Sequence, residues 1–146
     1  MTNLRIGIAG LGTVGGGVIK LLAENSLTHS NRSGRSLHIS AASALEMPND
    51  IAPLLEGVEW FDNAIEMAKS TSIDVVVELI GGEEGVALKL VEAAISSGKS
   101  VVTANKALIA NHGNELSALA ENNGVALLFE AAVAGGIPIV KTLKRV

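Results

Sequence analysis

An apolar run, Leu4 to Ala9, stops at a glycine, and five glycines then fall within the eight residues Gly10 to Gly17, just where a helical pattern begins. Glycine inside a helix costs roughly 1 kcal/mol against alanine. Such a cluster makes sense where the backbone must turn sharply, approach another backbone closely, or leave space for something else. A short buried strand running through a glycine turn into a helix is the start of a strand–helix–strand unit. Few folds open in this way.

The rest of the chain repeats the alternation. Val14, Val18, Leu21 and Leu22 give helical spacing over Val14 to Glu24. Asn25 to Ser36 is polar and rich in Ser, Asn and Gly, and reads as a surface loop. Leu37 to Ala44 reads as the second strand, Asn49 to Glu56 as a short helix and Val58 to Phe61 as a brief strand. Asn63 followed by Glu66 fits a capping box opening a helix to Ser70. The continuous run Asp74 to Ile80 predicts a central strand, Glu83 to Ser97 a helix stopped by Gly98, and Ser100 to Ala104 a strand. Ala107 to Asn122 is helical with an expected break at His112-Gly113, and Val125 to Val133 is the sixth strand. Pro138 suits the first turn of a last helix, which Val146 cuts in its middle, as in a piece of a longer protein. Strands alternating with helices predict an α/β fold with a doubly wound, mostly parallel sheet of six strands.

Composition supports this architecture. Of 146 residues, 48% are hydrophobic but only 2% aromatic, so Ala, Val, Ile and Leu must build one domain's core. The net charge of -4, without a basic tract, argues against nucleic-acid or anionic-membrane partners. There are no cysteines, which removes thiol nucleophiles and cysteine-held metals and fits a reducing compartment. No apolar run reaches the roughly 20 residues of a membrane span, and the N-terminus lacks a signal-peptide pattern. A cytoplasmic protein is expected.

Strand, Gly10-x-Gly12-x-x-Gly15 and helix together form the dinucleotide fingerprint in its required setting. Gly10 makes the turn, Gly12 lets a pyrophosphate approach the backbone, and Gly15 lets helix and strand pack closely. The helix N-terminus supplies free N–H groups to the phosphates. Gly17 could allow further close packing, while Gly16 has no role in the fingerprint. The acidic residue expected after the second strand is Glu46, which could bond a ribose 2′-hydroxyl and favour NAD. Arg32 and Arg35 could instead meet the 2′-phosphate of NADP.

Two carboxylates interrupt apolar strands, Glu78 in VVVELI and Glu130 in LLFEAAV. A buried carboxylate needs a partner. Each is either part of a ligand site at a strand's C-terminal end or a structural group bonded to nearby backbone N–H. Lys106 stands where a helix starts, an unfavourable place for a cation unless an anion binds there. His29, His38 and His112 show no metal-ligand spacing. Ala131 to Val140 forms a second glycine turn, either a ligand site or a hinge into a following domain.

The segments GLGTVGGGV, VVVELIGG, VVTANKALIANHG and FEAAVAGGIPIV, in this order and spacing, resemble the N-terminal region of homoserine dehydrogenase, over nearly the whole chain. The resemblance implies a Rossmann-type NAD(P)-binding domain over residues 1–146, with the substrate and dimerisation domain absent from this chain. It implies NADPH- or NADH-dependent interconversion of L-aspartate 4-semialdehyde and L-homoserine, on the route to threonine, methionine and isoleucine, in a homo-oligomer. By motif, Leu11, Gly12, Thr13 and Val14 would contact the cofactor phosphates and ribose, and Ile80, Gly81 and Thr103 would line its cleft. Lys106 would sit between nicotinamide and substrate. Glu130, Val133, Gly135 and Ile137 would form a sodium-type monovalent-cation site, mostly through backbone oxygens. Many relatives carry an arginine after the second strand, where this chain has Leu45 and Glu46. The family's substrate-binding acids and second catalytic lysine would lie beyond Val146, so this piece alone is expected to bind cofactor without turnover. The alternatives are a non-catalytic NAD(P)-binding or redox-sensing module, which leaves Lys106 and Glu130 without a role, and a related dehydrogenase acting on another aldehyde or amino acid.

Overall fold

The computed structural model describes residues 3–25, 34–82, 84–133, 137 and 139–143. In chain order its elements are β1 (Leu4–Ala9), α1 (Thr13–Glu24), β2 (Leu37–Ser43), β3 (Glu59–Trp60), α2 (Ala64–Lys69), β4 (Val75–Glu78), α3 (Val86–Ser96), β5 (Ser100–Thr103), α4 (Lys106–Asn122), β6 (Leu127–Leu128) and α5 (Ile139–Leu143). Short 3-10 turns occupy Ala52–Leu55 and Glu130–Ala132. Among the described residues, six strands form one sheet in the order β3-β2-β1-β4-β5-β6, and all neighbours pair in parallel.

That order determines where the helices go. From β1 the chain steps outward to β3, returns to the other side of β1 at β4, and continues to β6. Parallel crossovers are right-handed, so reversing direction moves the following helices to the opposite face. Ile19 of α1 packs with Ile6, Ile8 and Ala42 on one face, alongside Ile51 and Leu55. On the other, Met67 of α2, Leu90 and Val91 of α3, and Leu108 and Leu116 of α4 pack with Ala9, Ala41, Val76 and Val101. The alternation of Ala41 and Ala42 between the two clusters is the two-residue period of a strand buried on both faces. The reversal lies between β1 and β4, and the strand ends there are tied together. Gly10 N donates to Ser43 O at 2.9 Å, and Leu79 N to Ala9 O at 2.8 Å.

The glycine turn joins β1 to α1 with little space between them. Gly10 has φ +97, and a Cβ on it would lie 2.6 Å from the Leu79 carbonyl oxygen. A Cβ on Gly15 would lie 1.9 Å from the Gly10 carbonyl oxygen, so no side chain fits there. Gly16 gains an explanation: a Cβ would meet Ile51 Cδ1 at 3.2 Å. Gly17 does not serve close packing, because it is exposed and a Cβ on it would meet nothing within 4 Å.

Three expected elements differ. Helix α4 runs unbroken through His112-Gly113, because one glycine penalty is small beside the burial of Leu108, Leu116 and Ala120 along it. The sixth strand is only Leu127–Leu128. Phe129, at φ -138 and ψ 29, leaves the extended region and leads into the turn at Glu130. Helix α3 starts at Val86 rather than Glu83, behind Gly85 at φ 71. The capping box at Asn63 is half formed: its side chain accepts from Ile65 N at 2.9 Å, while Glu66 pairs with Lys69. Of the second glycine turn, Ala131 to Val140, residues 134–136 and Pro138 lie outside the described residues, as do residues 26–33 with His29.

Arg5 of β1 grips Asp74 ahead of β4 with its backbone N–H at 2.9 Å, Nε at 3.1 Å and Nη2 at 2.6 Å. The guanidinium and the backbone N–H hold the Asp74 carboxyl down to about 2. A carboxyl whose folded value is depressed stabilises the fold above its unfolded value and loses that contribution as pH falls through the folded one. Wild type should therefore lose melting temperature from about pH 4 to pH 2, and Asp74→Asn should show a flatter profile there, read by circular dichroism. Gly15→Ala should lower the melting temperature by roughly 5–10 °C or more through overpacking.

Candidate cofactor site

Open α/β sheets bind ligands beyond the strands' C-terminal ends at the point where strand order reverses. A cleft of about 860 Å³ lies there. Its floor is Gly10, Leu11 and Gly12 after β1, one wall is Ser43 to Glu46 after β2 with Asp62 to Ile65 after β3, and the other is Leu79 and Ile80 after β4. Val86, at the start of α3, closes one side.

Helix α1 presents its N-terminus at this floor. Gly12 is the N-cap, no side chain caps the helix, and its first turn holds no acidic residue. The first N–H groups of the helix and the positive end of its dipole are thus left without a covering side chain, which is what an anionic group needs. A Cβ on Gly12 would meet nothing within 4 Å, so the fold itself does not require a glycine there. A smaller hollow of about 340 Å³ adjoins, lined by Thr13, Gly16, Gly17 and the ion pair Lys20–Asp50 at 2.7 Å.

The cleft gathers Gly10, Leu11, Gly12, Glu46 and Ile80 from the expected site. Thr13 borders the adjoining hollow, and Val14 is exposed just beyond it. Gly15 is buried and shapes the turn. Gly81 is exposed next to Ile80. Lys106 is exposed at the first position of α4, behind the N-cap Asn105, and has no ion-pair partner among the described residues.

Two expectations are corrected. Thr103 does not line the cleft: it is fully buried, and its hydroxyl donates to Glu78 Oε2 at 2.5 Å. Arg35 cannot meet a 2′-phosphate in this cleft. It precedes β2, whose C-terminal end forms the wall, and seven residues of strand separate the two by roughly 20 Å. Arg32 lies outside the described residues. Glu78 itself is a structural carboxylate rather than a cleft group, fully buried and bonded to Ile80 N and Gly81 N.

Of the expected cation ligands, Glu130 opens the 3-10 turn with its Oε2 shielded from solvent, and Val133 N donates to Glu130 O at 3.2 Å. Ile137 is 66% exposed, and Gly135 lies outside the described residues. Among the described residues no three His, Cys, Asp or Glu side chains cluster as for a metal.

Sequence reasoning missed Asp62 and Asn63 in the cleft wall. The available signal was positional, since they follow directly on a strand's C-terminal end.

A glycine cradle at the switch point of a parallel sheet fits many nucleotide-binding proteins, and comparison narrows the choice. Residues 10–130 match the family described as "Homoserine dehydrogenase, NAD binding domain". The chain belongs to that family. It is 47% identical to the homoserine dehydrogenase of Neisseria gonorrhoeae over 99% of its own length and 33% of the relative's. It is 38% identical to that of Bacillus subtilis, again over 99% of this chain and 33% of the relative. Among solved structures, a homoserine dehydrogenase from Thiobacillus denitrificans superposes with TM-score 0.87 at 44% identity, over 99% of this chain and 33% of that one. A hyperthermophilic archaeal homoserine dehydrogenase in complex with NADPH superposes with TM-score 0.77 at 26% identity, over 97% of this chain and 48% of that one. The chain thus spans about a third of the length of the curated relatives it matches.

For this homoserine dehydrogenase NAD-binding domain, Gly12 separates binding from folding. Gly12→Ala should weaken NADH binding by about tenfold or more, as a methyl enters the space a pyrophosphate would use. The melting temperature should stay within about 2 °C, as expected of a substitution that meets no neighbour. Calorimetry and thermal melts on the same sample check both.

Proposed function

We propose that this chain is the cofactor-binding part of an enzyme that interconverts L-homoserine and L-aspartate 4-semialdehyde with NAD(H) or NADP(H). The observation that carries this reading is the uncapped α1 N-terminus opening on the 860 Å³ cleft, taken with the family match over residues 10–130. A bound nicotinamide cofactor supplies or accepts the hydride. The chain's own residues do the rest. Leu11 to Val14 hold the phosphates and ribose, and Ile80 and Gly81 bound the cleft towards the reacting end. Lys106 brings an ammonium to the start of α4, where it would stabilise negative charge growing on the substrate oxygen and assist proton transfer.

The carboxylate of Glu130 and the backbone oxygens of Val133, Gly135 and Ile137 are hard donors of the kind a sodium-type ion takes. We assign the domain to a cytoplasmic homo-oligomer whose partner is a small-molecule substrate rather than nucleic acid or membrane. The net charge of -4 supports that choice of partner. No helix among the described residues is long and apolar enough to cross a membrane.

The wall of the cleft favours NADH. Glu46 and Asp62 both line it, whereas Arg35 stands at the far end of β2. A carboxylate about 4 Å from a 2′-phosphate costs about 1 kcal/mol per charge pair even at the dielectric constant of water. Parallel calorimetric titrations should therefore give NADH binding about fivefold or more tighter than NADPH. Glu46→Gln should narrow that gap. Tighter NADPH binding would refute the acidic-wall argument, and binding of neither by the folded chain would refute the cofactor reading.

A further inference from the structure

Glu78 ends β4 within a run of valines, where an apolar residue would cost nothing to bury. It is nevertheless a carboxylate with 0% of its surface exposed. Oε1 accepts from Ile80 N at 2.8 Å and Gly81 N at 3.1 Å. Oε2 accepts from Thr103 Oγ1 at 2.5 Å, across the sheet on β5. Thr103 Oγ1 in turn accepts from Asn105 N at 3.0 Å. Asn105 caps α4 by accepting from Leu108 N at 3.1 Å, and its Nδ2 donates to the Gly82 carbonyl oxygen.

These bonds close a ring. One side is the turn from Ile80 to Gly82, which bounds the cleft. The other is the junction of β5 and α4, which carries Lys106. At the switch point and on its β2 side, backbone bonds join the strand ends, Leu79 N to Ala9 O and Gly10 N to Ser43 O. The wall formed after β4 and β5 has one such bond, Ala104 N to Glu78 O at 3.4 Å, and is joined besides through the side chains of Glu78, Thr103 and Asn105.

We propose that Glu78 and Thr103 are positioning residues that lock the Ile80–Gly82 turn to the N-terminus of α4, so that the cleft wall and the Lys106 helix move as one unit. The link to cofactor affinity rests on the cofactor reading above, while the mechanical coupling does not. A carboxylate suits this task because its two oxygens accept all three bonds, from Ile80 N, Gly81 N and Thr103 Oγ1, whereas a hydroxyl offers two acceptor lone pairs and an apolar residue none.

The test is amide hydrogen exchange, with NADH binding measured in parallel. Thr103→Val keeps the shape and removes the hydroxyl, and Thr103→Ser restores it. Thr103 makes no bond to the amides of Ile80 or Gly81. Thr103→Val should nevertheless speed exchange at both, and weaken NADH binding, by up to about tenfold, the range of one lost hydrogen bond. Thr103→Ser should return both readouts to near wild type. Should Thr103→Val fail to fold, native-state exchange of the wild type in rising denaturant decides instead: the amides of Ile80, Gly81, Asn105 and Leu108 should open together with the same denaturant dependence, and separate openings overturn the coupling. Faster exchange confined to Asn105 in Thr103→Val, with Ile80 and Gly81 unchanged, overturns the coupling. Faster exchange at Ile80 and Gly81 with unchanged NADH affinity overturns its link to the cofactor. A wild type that binds no NADH counts against the cofactor reading alone, and the exchange result still decides the coupling.

Discussion

The carbonyl oxygen of Gly10 lies where a side chain on residue 15 would have to be, 1.9 Å from that hypothetical Cβ. Much of the site depends on this approach. It brings the N-terminus of α1 directly over the end of β1, with Gly12 between them as an uncovered cap. Gly10, held at φ +97 against the Leu79 backbone, joins the same point to the end of β4. The helix end, the strand end and the switch point therefore coincide, and the cleft forms there. The three fingerprint glycines perform separate tasks in this arrangement. Gly10 and Gly15 are required by the protein's own backbone, whereas a Cβ on Gly12 would meet nothing within 4 Å among the described residues. Under the proposed function, the open space beside Gly12 at the helix N-terminus is where the pyrophosphate lies.

The fold was largely legible because its signals are local. Strand and helix periods, glycine stops and the fingerprint gave the six parallel strands and the helices between them. The misreadings came where burial along a whole element outweighs a local signal. At His112-Gly113 the packing of α4 overrides the glycine, and at Phe129 the backbone leaves the extended region while the residues remain strand-like. Gly16 was opaque for the same reason, since its neighbour Ile51 is 35 positions away and comes close only in the folded chain.

The site was legible in part. The cradle, Glu46 and Ile80 could be placed from the motif and the expected strand ends. Arg35 was misplaced because a motif gives an order along the chain, not the end of the strand at which a residue stands. Thr103 was misplaced because burial is not written in the sequence around it. Glu78 drew attention as a charge in an apolar strand, but its partner on β5 becomes visible only once parallel pairing sets Glu78 opposite Thr103. Asn63 was legible only as a helix cap and Asp62 only by its position after a strand, and the sheet order brings both to the cleft.

The proposed function requires the α1 N-terminus at Gly12 to cradle the phosphates of a nicotinamide dinucleotide. The most direct measurement is the change in backbone amide resonances as NADH is added to the isotopically labelled chain. The largest shifts are expected at Leu11 to Gly15, with smaller ones at Glu46 and Ile80 and none at Arg5 or Asp74, at the opposite, N-terminal ends of the central strands β1 and β4. Shifts centred elsewhere, or none from Leu11 to Gly15 at saturating NADH, would contradict it.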